Sequence, residues 1–360
     1  MNKRLLSLDV FRGFTILLML VVNNIAIDSV TPKVIMHAPW NYGIYIADFV
    51  FPWFLFCVGT SIPYSSSSFF SKNPKAYKYY LKVIYRGLML IFFGCVISSS
   101  KIKQPVFMLD VLQLIGLSYI VGASLIRIKT NIRIVIAFIF LIFYWVLVKF
   151  VPFAGHPAGV FEESLNLIKY INDLYLRPVH LAGLLSVIPA SALVIFGTAI
   201  GELFKDQNMD VKKKMFISMI SGIILIGIGN IWNIHFPYNK TVWSSSYILF
   251  MAGSGSFIIS ILYFLIDIKG LKKWSYPFIV FGSNAIFAYI VPILFKLWVM
   301  QTVKTKDSAG HIVNLQQWII NYLIGISNES FANWTYISIY IIFWWIILWI
   351  LYRKKIFIKV

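Results

Sequence analysis

Along the chain, long apolar runs alternate with short polar segments that are mostly basic. The runs are continuously apolar and do not alternate residue by residue. That pattern suits helices crossing a bilayer, about 20 residues each, and not the strands of a membrane barrel. It predicts ten spans, at residues 10–28, 44–63, 82–99, 108–126, 132–151, 184–204, 215–235, 244–266, 276–298 and 332–352. The expected fold class is therefore all-α, a polytopic integral membrane helical bundle of about ten transmembrane helices. No internal repeat and no linker rich in Gly, Ser or Pro divides the chain, so residues 1–360 are read as one transmembrane domain. Cys57 and Cys95 both fall inside apolar runs, which reads as small buried side chains and not as a disulfide framework. MNKR opens like a signal peptide, but no small-residue cleavage site follows, so the first segment is read as a retained helix.

Composition supports the same class. Of 360 residues, 59% are hydrophobic and 12% charged, where a soluble domain is nearer half and a quarter. Mean hydropathy is +0.80. The net charge of +19 would suggest nucleic acid in a soluble protein, but here it is divided among loops and forms no continuous basic face. One set of alternate loops holds 21 of the 32 Lys and Arg residues and the other set holds 10, with Arg12 inside the first span. Basic loops stay in the cytoplasm. Both termini are therefore expected there, in a bacterial inner (cytoplasmic) membrane.

Two longer loops fall on the outer side. Residues 152–183 carry a weakly amphipathic stretch, with Phe161, Leu165, Ile168 and Ile171 on one side, expected to lie on the bilayer surface. Residues 315–327 (LQQWIINYLIGIS) are too short to span comfortably and read as a re-entrant or interfacial helix, with an additional span as the alternative.

All five histidines lie on the outer side. His is the side chain that exchanges a proton near neutral pH without a large shift. His37 sits in the tight loop MHAPWNYG, and Asp48 follows at the mouth of the second span, where a carboxylate is costly unless paired or used. The plainer reading of His37 is an interfacial ring packed against Trp40. Asp9 and Arg12, three residues apart, suit an ion pair on one helical turn. Asp110 and Gln113 mark the fourth span, Asn23 and Asn24 end the first, Trp243 opens the eighth, and Asn284 interrupts the ninth within GSNA. Polar residues in spans often serve only as interhelical hydrogen bonds. There is no GxSxG, no phosphate-binding glycine loop, no HExxH and no CxxC, and no metal site is expected. From these residues alone the protein is a membrane protein with a polar, histidine-containing outer site, either an enzyme or a transporter.

The segments SLDVFRGFTILLMLVVNN (7–24) and HAPWNYGIYIADFVFPWFLFCVGTSI (37–62) carry a long and specific pattern. So do VLQLIGLSY (111–119), FPYNKTVWSSSYILFMAG (236–253) and FGSNAIFAY (281–289). The chain resembles the heparan-α-glucosaminide N-acetyltransferase family from near residue 7 to its end. The resemblance implies transfer of acetyl from cytoplasmic acetyl-CoA, as co-substrate, to an amino sugar of terminal glucosamine type on the outer side. It implies His37 as general base or acetyl carrier, Asn23 as its partner and Asp48 as its orienting carboxylate. A second group of candidates for contact with either substrate comprises Arg12, Trp40, Asp110, Gln113, Lys240, Trp243 and Asn284, with Arg86 for the phosphates of CoA. Leu114 stands where relatives place an arginine, the interval from Asn23 to His37 is a few residues longer than in animal members, and their lumenal domain has no counterpart. The expected partners are the acceptor glycan, acetyl-CoA and the lipid bilayer, with no nucleic acid and with a homodimer left open. The competing readings are a sugar transporter on the same scaffold and a surface-glycan O-acyltransferase.

Overall fold

The computed structural model describes residues 5–73, 75–307 and 310–358, so Lys3, Arg4 and Lys359, counted above among the basic residues, lie outside the described residues. The helices are α1 (Leu6–Asn23), α2 (Ile46–Phe70), α3 (Ala76–Ile102), α4 (Val111–Ser124), α5 (Thr130–Phe150), α6 (Leu167–Ile171) and α7 (Val187–Lys205). They continue with α8 (Val211–Asn233), α9 (Ser245–Leu262), α10 (Tyr276–Ser283), α11 (Ala285–Phe295), α12 (Leu315–Ile326) and α13 (Glu329–Arg353). A small antiparallel hairpin, β1 (Lys304–Lys306) and β2 (Ile312–Asn314), pairs Lys304 with Asn314. Among the described residues eight helices are long and apolar enough to cross a membrane. Residues 276–300 form a ninth crossing only as a bent pair, with 78° between its halves. The protein is a multi-pass, all-α membrane protein.

The fourth expected span is shorter than its apolar run suggests. Helix α4 has 14 residues, which at 1.5 Å each is about 21 Å against a hydrocarbon core of about 30 Å. Asp110 starts it, accepting the Val111 N–H at 2.9 Å, and the preceding Pro105–Leu109 is non-helical. Residues 315–326 form the separate helix α12, started by Asn314 and Gln317 in a reciprocal cap (2.8 and 3.3 Å). It packs on α13, with Leu323 beside Tyr336 and Tyr340. Two residues of the amphipathic stretch in the 152–183 loop, Phe161 and Ile168, pack on the protein. Ile168 is buried with Phe236 and Val242, and Phe161 stacks edge-on against Phe236 at 5.2 Å. An apolar residue near the bundle end is removed from water by either route, and here the rings of the 236–243 loop supply the surface.

Helix α7 is the axis of the bundle. Its span is 78% buried, against 17% for α8 at the periphery. Close packing in lipid depends on small residues that let backbones meet. Gly197 and Gly201 lie one turn apart on α7, and a Cβ at Gly201 would stand 2.2 Å from the Thr60 carbonyl oxygen of α2. Gly282 of α10 meets α1 in the same way, 2.0 Å from the Asp9 oxygen.

The break between α10 and α11 falls at Asn284, whose backbone (φ −127°, ψ 47°) leaves the helical region. Its carboxamide then holds the C-terminal tail. Nδ2 donates to the Ile356 carbonyl at 3.0 Å, and the Ile358 N–H donates to Oδ1 at 2.8 Å. This pair of bonds copies one rung of a β-ladder and turns the tail back into the bundle. Gly282→Ala and Gly201→Ala should each lower stability by about 1–3 kcal/mol through forced separation of two backbones. Thermal unfolding in detergent reads this, and an unchanged midpoint for both would show that these contacts are loose.

Candidate active site

The loop between α1 and α2 carries His37. It is pinned from α13 by Asn333, whose Oδ1 accepts from the Ala26 and Ile27 amides (3.0 and 3.2 Å) and whose Nδ2 donates to Thr31 Oγ1 at 3.1 Å. Asp48 sits in the first turn of α2, where the helix dipole favours a negative charge. Its Oδ2 accepts from the Ala38 and Tyr45 amides, both at 3.0 Å, and its Oδ1 lies 2.8 Å from His37 Nδ1. The Tyr247 hydroxyl donates to the Asp48 carbonyl at 2.6 Å and fixes the turn from behind. A carboxylate accepts only, so His37 Nδ1 carries a proton and, in the neutral ring, Nε2 keeps its lone pair. The Asp48 side chain is 3% exposed and that of His37 54%, so the ring faces the cavity while the carboxylate that holds it is buried.

Lys240 completes the cluster. Its Nζ lies 2.9 Å from His37 Nδ1, 3.1 Å from Nε2 and 3.9 Å from Asp48 Oδ1. Because Nδ1 holds the proton shared with Asp48, Nε2 is the ring nitrogen able to accept from the amine. A substrate that uses the Nε2 lone pair takes the place of this amine. Burial pushes the Lys240 amine down to about 8, against the opposing pull of the Asp48 carboxylate. The loop that presents Lys240 is rigid. The Asn239 N–H donates to Ser244 Oγ at 3.0 Å, Asn239 Oδ1 accepts the Val242 N–H at 3.2 Å, and its Nδ2 donates to Asn41 Oδ1 at 3.2 Å. Trp243 is held at φ 56°, a left-handed backbone uncommon for a bulky residue, with its ring edge-on to Phe51 at 5.1 Å. Together these groups line a cavity of about 310 Å³ that includes His37, Trp40, Asp48, Lys240, Trp243 and Tyr247. Trp40 does not stack on His37. Its Nε1 donates to the Phe161 carbonyl at 3.3 Å, which ties the 152–183 loop over the site.

Two further cavities divide the remaining candidates. One, of about 420 Å³, opens at the end of the bundle where the described chain begins and ends, among Arg12, Ser61, Ser65, Lys82, Arg86 and the tail residue Phe357. Arg12 lies 3.5 Å from Asp9 Oδ1, as the spacing predicts. The other, of about 360 Å³, lies near the opposite end among Asn23, Asn24, Lys101, Asp110, Tyr289 and Lys296. There Lys101 pairs with Asp110 at 2.9 Å, and Lys296 donates to the Asn23 carbonyl at 2.7 Å. Asn23 and His37 thus line separate cavities with no residue in common. Gln113 lines none of the three; it is buried against Gly94, 3.4 Å from Ser98 Oγ, where it packs α3 on α4. Asn284 holds the tail that walls the first cavity. Sequence reasoning passed over Lys82, Asn239, Tyr247 and Tyr289. A lysine among other loop cations and a tyrosine in an apolar run carry no sequence signal that sets them apart.

The bundle and these cavities define a multi-pass membrane protein with a histidine–carboxylate–lysine cluster at one end and a basic cavity at the other. The chain belongs to the heparan-alpha-glucosaminide N-acetyltransferase family, whose catalytic-region model matches residues 4–237. It is similar to the human heparan-alpha-glucosaminide N-acetyltransferase, at 27% identity over 99% of this chain and 60% of the human one. It is also similar to the mouse protein of the same name, at 26% identity over 99% of this chain and 61% of the mouse one. The chain thus spans about 60% of the length of the curated relatives it matches. The family match takes in His37 and Asp48 and ends before Lys240.

Because the Asp48 charge supports the protonated form of Lys240, Asp48→Asn should move the Lys240 titration further below 8. Carbon-13 methyl labelling of the lysines, followed by NMR against pH, reads this shift. A Lys240 that titrates with the bulk of the lysines would refute the buried amine.

Proposed function

We propose that the protein is a transmembrane N-acetyltransferase that moves acetyl from acetyl-CoA in the cytoplasm to an amino sugar of glucosamine type outside the cell. One observation carries this reading: a histidine oriented by a buried carboxylate and a cationic cavity occur at opposite ends of the same bundle. The end bearing the termini is the cytoplasmic one, since the loops there are rich in Lys and Arg. Arg12, Lys82 and Arg86 suit the phosphates of CoA, and Ser61 and Ser65 add hydroxyls. No metal takes part in this reading.

An amine attacks a thioester only after losing its extra proton. His37 Nε2 takes a proton from the acceptor nitrogen, Asp48 supports the imidazolium that results, and the nitrogen bonds to the acetyl carbonyl carbon. The carbonyl electrons move to oxygen, where the Lys240 ammonium is placed to stabilise them. When the oxyanion collapses, the carbon–sulfur bond breaks, and the departing thiolate receives the proton held on His37. A covalent route, with His37 accepting acetyl first, uses the same atoms. Asn23 lies toward the outer end, in a cavity that shares Tyr289 with the CoA cavity. The break at Asn284 is of a kind found in transporters, but its carboxamide is engaged by the tail and lines no substrate path, so a transport reading has less support.

Purified protein incubated with radiolabelled acetyl-CoA and a panel of amino sugars should yield labelled N-acetyl product. His37→Ala should lower the rate by about 10²–10⁴-fold with unchanged thermal unfolding; near-normal turnover removes His37 from the chemistry. The role given to Lys240 needs its ammonium, which is present below about pH 8 and lost above it. Transfer should therefore decline as pH rises through about 8, and Lys240→Arg, charged to beyond pH 12, should remove that decline. An unaltered profile in the variant would exclude Lys240 from oxyanion stabilisation.

A further inference from the structure

Between α5 and α8, against α7 at the end bearing the termini, lies a cavity of about 670 Å³ that the proposed reaction does not use. Helix α8 meets α9 backbone to backbone, where a Cβ at Gly222 would stand 2.8 Å from the Gly253 carbonyl oxygen. On the side toward α5 it leaves this gap. Ile134, Ala199, Ile200, Leu203 and Ile217 make the walls apolar. Val135 and Ile220, beside the lining, are more than half exposed, so the gap faces the hydrocarbon layer. The lining extends to Ser221, about 15 Å along α8 from Val211. That is the depth of one leaflet of a hydrocarbon core about 30 Å thick. An apolar slot of one leaflet's depth, open to lipid, fits an acyl chain.

The mouth of the slot is polar, with Thr130, Asn131, Glu202, Lys205 and Asp206 around it. Behind it the fully buried Arg133 guanidinium bonds Glu202 Oε2 through Nη2, and the Thr130 hydroxyl donates to the same oxygen at 2.7 Å. The Nε and Nη1 of Arg133 are buried with no hydrogen-bond partner among the described residues, so its charge leans on Glu202 alone. Glu202 is thereby neutralised, while its Oε1 still has room to accept a bond. One cation, Lys205, and one anion, Asp206, are left at the mouth, and neither has an ionic partner among the described residues. The Asp206 side chain accepts only the Asn208 N–H, at 2.9 Å. One free charge of each sign complements a zwitterion and not a head with net charge. Carboxylate oxygens accept hydrogen bonds, so an amine that keeps its N–H groups suits them better than a quaternary one.

We infer that this cavity is a site for a phospholipid whose head ends in a primary amine, of the phosphatidylethanolamine class. Lys205 and Asn131 hold the phosphate, Asp206 and Glu202 Oε1 take the ammonium, and one acyl chain fills the slot toward Ser221. The lipid ties the least buried of the eight spans, α8, to the most buried, α7. The exposed lysines of the neighbouring loops, Lys129, Lys212 and Lys213, attract anionic lipid of any shape, which is the competing source of lipid binding at this end. The inference is independent of acetyl transfer and of the acceptor.

The test is native mass spectrometry of the full chain in mild detergent, titrated with phosphatidylethanolamine, phosphatidylcholine or phosphatidylglycerol of identical acyl chains. The first should form a one-lipid adduct at a concentration about three- to tenfold lower than the other two, the value of one partly exposed hydrogen bond to a charged group. It should also raise the midpoint of thermal unfolding more than they do, by mass action on the folded state. Asp206→Asn keeps the bond from Asn208 and removes the charge. It should bring phosphatidylethanolamine down to the level of phosphatidylcholine and abolish the extra rise, with the lipid-free midpoint unchanged. Ala199→Phe fills the slot and should remove the selective adduct; if that variant does not fold, Asp206→Asn still decides. Tightest retention of phosphatidylglycerol would assign the binding to the basic loops and overturn the inference. Equal retention of all three lipids, or an unaltered preference in Asp206→Asn, would overturn it as well, by showing an unselective lipid belt.

Discussion

A backbone amide in the hydrocarbon layer has no water to bond, so each must find its partner within the protein. Much of the architecture is a response to that constraint. Helices satisfy it locally, and glycines at 201 and 282 let them approach until carbonyl oxygens of neighbouring helices are in contact. Where a crossing is broken, at Asn284, a side chain repairs the ladder by capturing the C-terminal tail. The irregular backbone that carries chemistry is confined to one end of the bundle, and there it is closed by side chains of the same kind. Asp48 collects two amides, Asn239 knots its own loop, and Asn333 holds the start of the His37 loop from 307 positions away in sequence.

These repairs also set the chemistry. Asp48 is needed for the start of α2, yet the same carboxylate orients His37 and attracts Lys240. A single buried negative charge thus fixes a tautomer and keeps an amine within 3.1 Å of a ring nitrogen. The tail captured by Asn284 brings Phe357 and Ile358 into the wall of the basic cavity, so the repair of the break also shapes the space at that end. Cations line that cavity, His37 lines one cavity at the opposite end, and the carboxamides of Asn23, Asn24 and Gln301 line the other. Placing these groups at different depths suits a reaction whose two substrates approach from different sides of a membrane.

Several parts of the site were legible in the chain. His37 and Asp48 stood out because a histidine beside a carboxylate at a span mouth is chemically conspicuous, and the structure joins them at 2.8 Å. The pairing of Asp9 with Arg12 followed from helical spacing alone. Asn284 was visible as a helix breaker, but its partner was not, because nothing in GSNA points to a tail 72 residues later. Gln113 looked like a site residue by polarity, and the structure buries it between α3 and α4. Tyr289 was invisible, since a tyrosine in an apolar run differs from its neighbours by one hydroxyl.

What the amino-acid order determined by itself was the class: membrane-spanning helices, their approximate positions, the basic end, and the loop in which His37 meets a carboxylate. These depend on local hydrophobicity and charge, which act over a few residues and need no fold. Tertiary structure decided the rest. It kept α4 short, turned the 152–183 loop onto the protein, set Asn23 apart from His37 and brought Lys240 over the ring across 203 positions. Those outcomes turn on which surfaces meet in three dimensions, and helices of similar apolar composition leave that choice to packing and to a few buried polar bonds.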